Sequence, residues 1–175
     1  SLNFGRPGVV AQRFSNFVIQ NSDLLISVGC RIDNIITAFN QKKFAPYAKK
    51  VIVDIDNNEI NKFNFKIDLK LNFDAKNFFE QFIKLKSPNQ NNLIAWKNKC
   101  RYWKENYSFI SENKKNYNKY FDHYFVVNKL SEKLPKNLLI CTGSSGLAVE
   151  VFYSVFRNKA GQRIFLTSGL GSMGY

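Results

Sequence analysis

Apolar positions along this chain come in short blocks whose spacing switches between helical and extended. Val10, Phe14, Phe17 and Val18 stand at i, i+4, i+7 and i+8, one face of an amphipathic helix that should end near Asn21-Ser22. Leu24 to Val28 follows as a nearly continuous apolar run closed by Gly29, the pattern of a buried parallel strand. Val51-Ile52-Val53 predicts a second strand, running into Asp54-Ile55-Asp56. Ile67 to Leu71 alternates apolar with charged residues, which suits a sheet edge. Asp74 then opens a helix in which Phe78, Phe79, Phe82 and Ile83 are expected to face the core. Helix, strand, connection, strand is an α/β order. It predicts an open parallel sheet flanked by helices, a Rossmann-like layout.

The later half repeats that order after an interruption. Residues 84–92 are polar and contain Pro88, and they predict the end of a first domain spanning 1–84. A helical run from Leu93 to Lys119 carries Trp96, Tyr102, Trp103 and Tyr107, and residues 85–120 read as a helical linker. Its aromatics are read as packing anchors rather than platforms for bases. A second α/β unit, 121–175, opens with a helix marked by Val126, Val127, Leu130 and Leu134 and ended by Pro135. Leu138 to Cys141 predicts a buried strand, Thr142-Gly143-Ser144-Ser145-Gly146 a small-residue turn, and Leu147 to Phe156 a returning helix. A strand at Ile164 to Leu166 then leads into TSGLGSMGY, punctuated by Gly169, Gly171 and Gly174.

Composition narrows the classes. The chain has 175 residues, 45% apolar and 15% aromatic, ample material for a packed core and no case for disorder. Its longest apolar runs fall far short of the ~20 residues of a membrane span. Lys and Arg number 26 against 13 Asp and Glu, for a formal net charge of +13. The basic residues are mostly Lys scattered among Asn without an Arg-rich stripe, so they read as solvated faces and not as a nucleic-acid surface. Cys30, Cys100 and Cys141 are odd in number, far apart and without CxxC or Cys/His metal spacing, which favours a reducing, cytoplasmic compartment. The single histidine, His123, has no Asp or Ser partner in sequence and reads as a surface or packing residue. Residue 1 is Ser, which suggests a piece of something longer or a processed product.

Candidate chemistry gathers where strands should end, since ligands of open α/β sheets sit beyond the strands' carboxyl ends. The first such edge carries Gly29 and Arg31, with Asp54 and Asp56 further on. A glycine turn, a base for phosphate and an acid for ribose hydroxyls suit a dinucleotide. The same residues also admit a plainer account, in which Asp56 caps a short helix at Asn57 and Arg31 pairs with Asp33. The second edge carries two loops of glycines and hydroxyls, after Cys141 and after Leu166. Loops of that kind present backbone N–H groups and Ser/Thr hydroxyls to a diphosphate or a polar heterocycle.

SDLLISVGCRID (22–33), VIVDIDNNEI (51–60), CTGSSG (141–146) and GQRIFLTSGLGSMGY (161–175), in this order and spacing, resemble thiamine diphosphate-dependent enzymes of the acetolactate synthase type. The resemblance implies a middle domain over 1–84, partial at its start, and the opening of the diphosphate-binding domain over 121–175. It implies that Thr142, Gly143, Ser144 and Ser145 touch the diphosphate of the cofactor. Gly171, Ser172 and Met173 would hold the aminopyrimidine ring, the Gly171 carbonyl accepting from its amino group and the Met173 N–H donating to a ring nitrogen. The Met173 side chain would wedge between the two rings and hold them bent. Gly29, Arg31, Asp54, Asp56 and Asp74 match positions near a flavin (FAD) that several members bind, although Ile35 stands where a second Arg is usual. The catalytic glutamate and the Mg²⁺ ligands of the family match no residue here, so no catalytic or metal residue is expected within the chain, and alone it should be inactive. A 2-keto acid substrate, pyruvate first, and a parent dimer or tetramer are also implied.

Overall fold

The computed structural model describes residues 2–86, 90–109, 120–143 and 145–166. The first sheet has three strands, β1 (Leu24–Val28), β2 (Lys49–Asp54) and β3 (Leu69–Asn72), in the order β1-β2-β3 and all parallel. Val28 lies beside Val53, and Asp54 beside Asn72, so the three carboxyl ends reach one edge. As the central strand, β2 is the most covered, with Ile52 and Val53 buried. They belong to or adjoin a core in which Ile52 packs with Ile32, Phe44 and Ile60. The last pairing is closed by a reciprocal clamp. Asp68 N–H donates to the Lys50 carbonyl at 2.9 Å, and Lys50 N–H donates to Asp68 Oδ2 at 2.9 Å. A side-chain acceptor is used here because the chain enters β3 late, at Leu69 instead of the expected Ile67.

Helix α1 (Arg13–Gln20) begins three residues after the expected Val10. The delay is set by the preceding loop, in which Val9 N–H donates to Ile35 O at 2.9 Å and Gln12 N–H to Arg6 O at 3.1 Å. Gly8 sits at φ +132 with its missing Cβ only 2.8 Å from Ile35 O, so no side chain fits there. A short helix α2 (Asn57–Asn61) follows β2, and α3 (Ala75–Phe82) follows β3. The expectation that α3 buries its aromatics is corrected. Phe79 is 50% exposed, Phe82 43% and Ile83 76%. β3 is a four-residue edge strand and offers little surface, so Phe78 stacks on Phe82 at 5.3 Å beside Leu71 and Phe73 in a shallow apolar hollow.

Helix α4 (Ile94–Asn106) lies along α1. Phe17 meets Tyr107 edge-on at 5.0 Å and Trp103 at 6.0 Å, and Trp96 meets Trp103 at 5.9 Å. These rings lock two helices together. The expected helical run to Lys119 is interrupted, since the helix ends at Asn106 and Tyr107 and Ser108 are not helical; residues 110–119 lie outside the described residues.

A second parallel sheet pairs β4 (Leu139–Cys141) with β5 (Arg163–Phe165). Helix α5 (His123–Lys133) precedes it, started by Asp122 Oδ1, which accepts from the N–H of Tyr124 at 2.7 Å. Between the strands a π-helical turn, Leu147–Val151, continues into α6 (Phe152–Val155). A helical crossover of this kind is what parallel pairing of two strands requires. Two expectations change. Leu139 and Cys141 are exposed, so β4 is not a buried strand among the described residues, because two short strands cover only one face. In α5, Asn128 and Ser131 are buried while Val126 and Leu130 are exposed, so the helix is turned from the face its apolar residues suggested. Ser131 Oγ satisfies itself by donating to Asn128 O at 2.8 Å.

Candidate functional site

At the carboxyl edge of the second sheet, Thr142 N–H donates to Phe165 O at 3.1 Å. The chain therefore leaves β5 beside the turn that follows β4. Thr142 Oγ1 is buried and has no hydrogen-bond partner among the described residues. Leaving a hydroxyl so costs about 1–3 kcal/mol unless something else pairs with it. A Cβ built on Gly143 would make only ordinary contact with Ala148 at 3.6 Å, and one on Gly146 would meet nothing within 4 Å. Among the described residues, nothing crowds the turn at these two glycines. Ser145 is engaged in starting the helix, its Oγ accepting from Ala148 N–H at 3.4 Å and its carbonyl from Val149 N–H at 2.9 Å. An orphaned buried hydroxyl beside an unfilled small-residue turn fits a diphosphate oxygen. Of the seven residues expected to hold thiamine diphosphate, Thr142, Gly143 and Ser145 are described; Ser144, Gly171, Ser172 and Met173 lie outside the described residues.

At the carboxyl edge of the first sheet, all five flavin candidates come together, and each also has a local task. Gly29 takes φ +55 and donates its N–H to Val53 O at 2.9 Å, a bend that favours glycine. Asp54 Oδ1 accepts from Asp56 N–H at 3.0 Å. Asp56 Oδ1 caps α2 through Asn58 N–H at 2.8 Å, and Asp74 Oδ1 caps α3 through the N–H groups of Lys76 and Asn77 at 2.8 and 3.2 Å. Arg31 does not pair with Asp33. Its Nε lies 3.4 Å from Glu59 Oε1, while Asp33 Oδ1 accepts from the N–H groups of Ile35 and Ile36 at 3.0 and 3.1 Å. Glu59 is shared with Lys62, whose Nζ also donates to Arg31 O. Three carboxylates against one paired guanidinium suit sugar hydroxyls better than a pyrophosphate.

Sequence reasoning passed over Arg6 and Glu59. Arg6 crosses to the second unit, donating through Nη2 to the carbonyls of Tyr153 at 2.6 Å and Phe156 at 3.0 Å. Burial pushes its pKa below the usual arginine value, with the Tyr153 charge opposing. Only the Gly5-Arg6-Pro7-Gly8 punctuation hinted at a shaped loop. Among the described residues no helix is long and apolar enough to cross a membrane.

The family described as thiamine pyrophosphate enzyme, central domain, matches residues 1–82. Over 99% of its length the chain is 28% identical to a probable acetolactate synthase large subunit of Methanococcus aeolicus, covering 31% of that protein. It is 29% identical, again over 99% of its length, to a probable acetolactate synthase large subunit of Methanocaldococcus jannaschii, covering 30% of it. Identity is 25% to the acetolactate synthase isozyme 2 large subunit of Escherichia coli, over 98% of this chain and 29% of that one. The chain thus spans under a third of the length of these curated relatives. With a three-stranded parallel sheet inside the span that matches the thiamine pyrophosphate enzyme central domain, and the likeness running on through the second sheet, the chain is similar over nearly its whole length to acetolactate synthase large subunits.

Proposed function

We propose that this chain supplies part of the cofactor site of a thiamine diphosphate-dependent enzyme that joins or decarboxylates 2-keto acids, with pyruvate as the donor. The observation that carries this reading is the buried Thr142 hydroxyl, without a partner among the described residues, on the strand edge from which β5 also exits. Thr142, Gly143, Ser144 and Ser145 hold the diphosphate, and Gly171, Ser172 and Met173 hold the aminopyrimidine. Mg²⁺ is bound by residues other than these. When bound, thiamine diphosphate supplies the electron sink that decarboxylation of a 2-keto acid needs. The chain's own part is positional. Backbone donors and the Thr142 hydroxyl would hold the diphosphate, and the Met173 side chain would wedge between the two rings, a positioning role rather than a chemical one. The working enzyme is a homodimer or tetramer in the cytoplasm.

The decisive substitution is Met173→Gly in the intact protein. Turnover of pyruvate with thiamine diphosphate and Mg²⁺ should fall steeply while the circular-dichroism spectrum and Tm without cofactor stay as in wild type. Undiminished turnover overturns the assignment of the terminal loop. A second reading is favoured by the convergence of Gly29, Arg31, Asp54, Asp56 and Asp74 on one sheet edge. In it the first unit also binds FAD or another adenine nucleotide through its ribose hydroxyls. A rise in Tm with FAD or ADP that survives Met173→Gly distinguishes it.

A further inference from the structure

A cavity of about 550 Å³ lies between the amino-terminal loop, α1, the end of α4 and the residues just after α6. It sits at the far end of α6 from the Thr142 turn and belongs to neither sheet edge. Arg6, Lys104 and Arg157 line it, and no Asp or Glu does among the described residues. Their engagements leave positive charge unspent. Arg6 uses only Nη2 for the two carbonyls, so Nε and Nη1 have no partner among the described residues. Lys104 Nζ donates to a neutral acceptor, Asn3 O, at 2.8 Å. The acid felt by Arg157 is Glu132, which is already paired with Lys129 at 2.8 Å. Three like charges around one hollow repel each other, and burial makes this worse by stripping water from Arg6.

We propose that this cavity binds a phosphorylated small molecule, its phosphate held by Arg6, Lys104 and Arg157. Guanidinium forks match phosphate oxygens in pairs, and an ammonium adds a third donor direction. Phe14, Val155 and Phe156 form an apolar wall on the same cavity, a seat for the organic part of the molecule. Its volume falls within the roughly 300–1,000 Å³ of small-molecule pockets. Such a ligand would touch both α/β units at once, since Phe14 belongs to the first and Phe156 to the second. The site is independent of the cofactor assignment.

Inorganic pyrophosphate is the probe, titrated into the intact protein at constant ionic strength while thermal unfolding is followed. A saturable rise in Tm is expected, and Lys104→Gln/Arg157→Gln, at two exposed positions, should weaken the apparent Kd by about tenfold or more. Pyrophosphate also suits the Thr142 turn, so Thr142→Val is measured in parallel and should keep this response. The inference is overturned if wild-type protein gives no saturable rise, if sodium chloride at matched ionic strength reproduces it, if the double variant responds as wild type does, or if Thr142→Val alone abolishes it. Should the double variant fail to fold, Arg157→Gln alone is judged by the same comparison.

Discussion

Arg6 grips Phe156 across 150 residues of sequence: its Nη2 donates to the Phe156 carbonyl at 3.0 Å and also to that of Tyr153. The guanidinium lies 5.4 Å from the centre of the Tyr153 ring, adding an aromatic contact to the two hydrogen bonds. These carbonyls are at the carboxyl end of α6, where a helix leaves them without internal partners and a cation is favoured. Arg6→Met keeps the stem and removes the donors. It should lower stability by about 1.5–3 kcal/mol, the range for hydrogen bonds to a charged group, read as a shift in the denaturant midpoint. An unmoved midpoint would mean the contact is not formed in solution.

Thr142→Val tests the orphaned hydroxyl from both sides. Valine has the shape of threonine without the oxygen, so the cofactor-free protein should gain about 1 kcal/mol. Affinity for thiamine diphosphate should fall about tenfold, the equivalent of one lost hydrogen bond to a charged oxygen. Calorimetric titration measures the second and denaturation the first. A variant that loses stability without losing affinity would mark Thr142 as structural.

Asp56 separates capping from ligand binding. Asparagine caps helices about as well as aspartate, so Asp56→Asn should leave stability within a few tenths of a kcal/mol, whereas Asp56→Ala should cost about 1 kcal/mol. If the carboxylate serves only α2, FAD- or ADP-dependent stabilisation will be the same in wild type and Asp56→Asn. A response lost in the asparagine variant assigns the charge to a ligand.

Asp68 gives the molecule an acid limb. The Lys50 backbone N–H, and after it the Lys66 side chain, hold its carboxyl below the usual range. A group with a lower pKa folded than unfolded stabilises above its unfolded value, about 3.9 for aspartate, and loses that stabilisation as pH falls through the folded value. The stability gap between wild type and Asp68→Asn should therefore be full near neutrality and shrink below about pH 4. Urea titrations across that window read it directly; a gap independent of pH would exclude the linkage.

Thiol labelling probes burial. Cys30 and Cys141 are exposed, and Cys100 is 1% exposed with its thiol pushed up in pKa by burial. Two cysteines should react rapidly in native protein and the third only on unfolding. Rapid reaction of Cys100 would show that α4 does not pack on α1 as described.

A parallel sheet was readable from sequence because short apolar runs such as Leu24–Val28 and Val51–Val53 recur in an α/β order. Ile52 and Val53 are buried, whereas Leu24 and Ile26 are exposed, so β1 is covered less than a buried strand would be. Asp74 was readable as a helix start because capping is local chemistry. Faces were less legible. The aromatics of α3 have helical spacing, but spacing states only that they share a side, not that a neighbour covers it. Asn128 and Ser131 went unseen for the converse reason, since a polar residue can be buried when its hydrogen bond is to its own helix. The Arg31–Glu59 pair and the Arg6 contact join residues far apart in sequence, and no local pattern encodes them. On the second sheet's edge, Thr142 was singled out for its type and position, but its missing partner could be seen only in three dimensions.

The loop from Gly5 to Val9 has a grip at each end. Val9 is tied to Ile35, beside the first sheet, and Arg6 is tied to the close of α6, in the second unit. Two bodies fastened by so short a strap cannot drift apart while it holds, whatever the longer connection through α4 allows. Cutting the backbone between Arg6 and Val9 should therefore loosen this tie without unfolding either body, leaving the bonds of residues 3–6 to Gln12, Ser15 and Lys104 to hold Arg6 to the first.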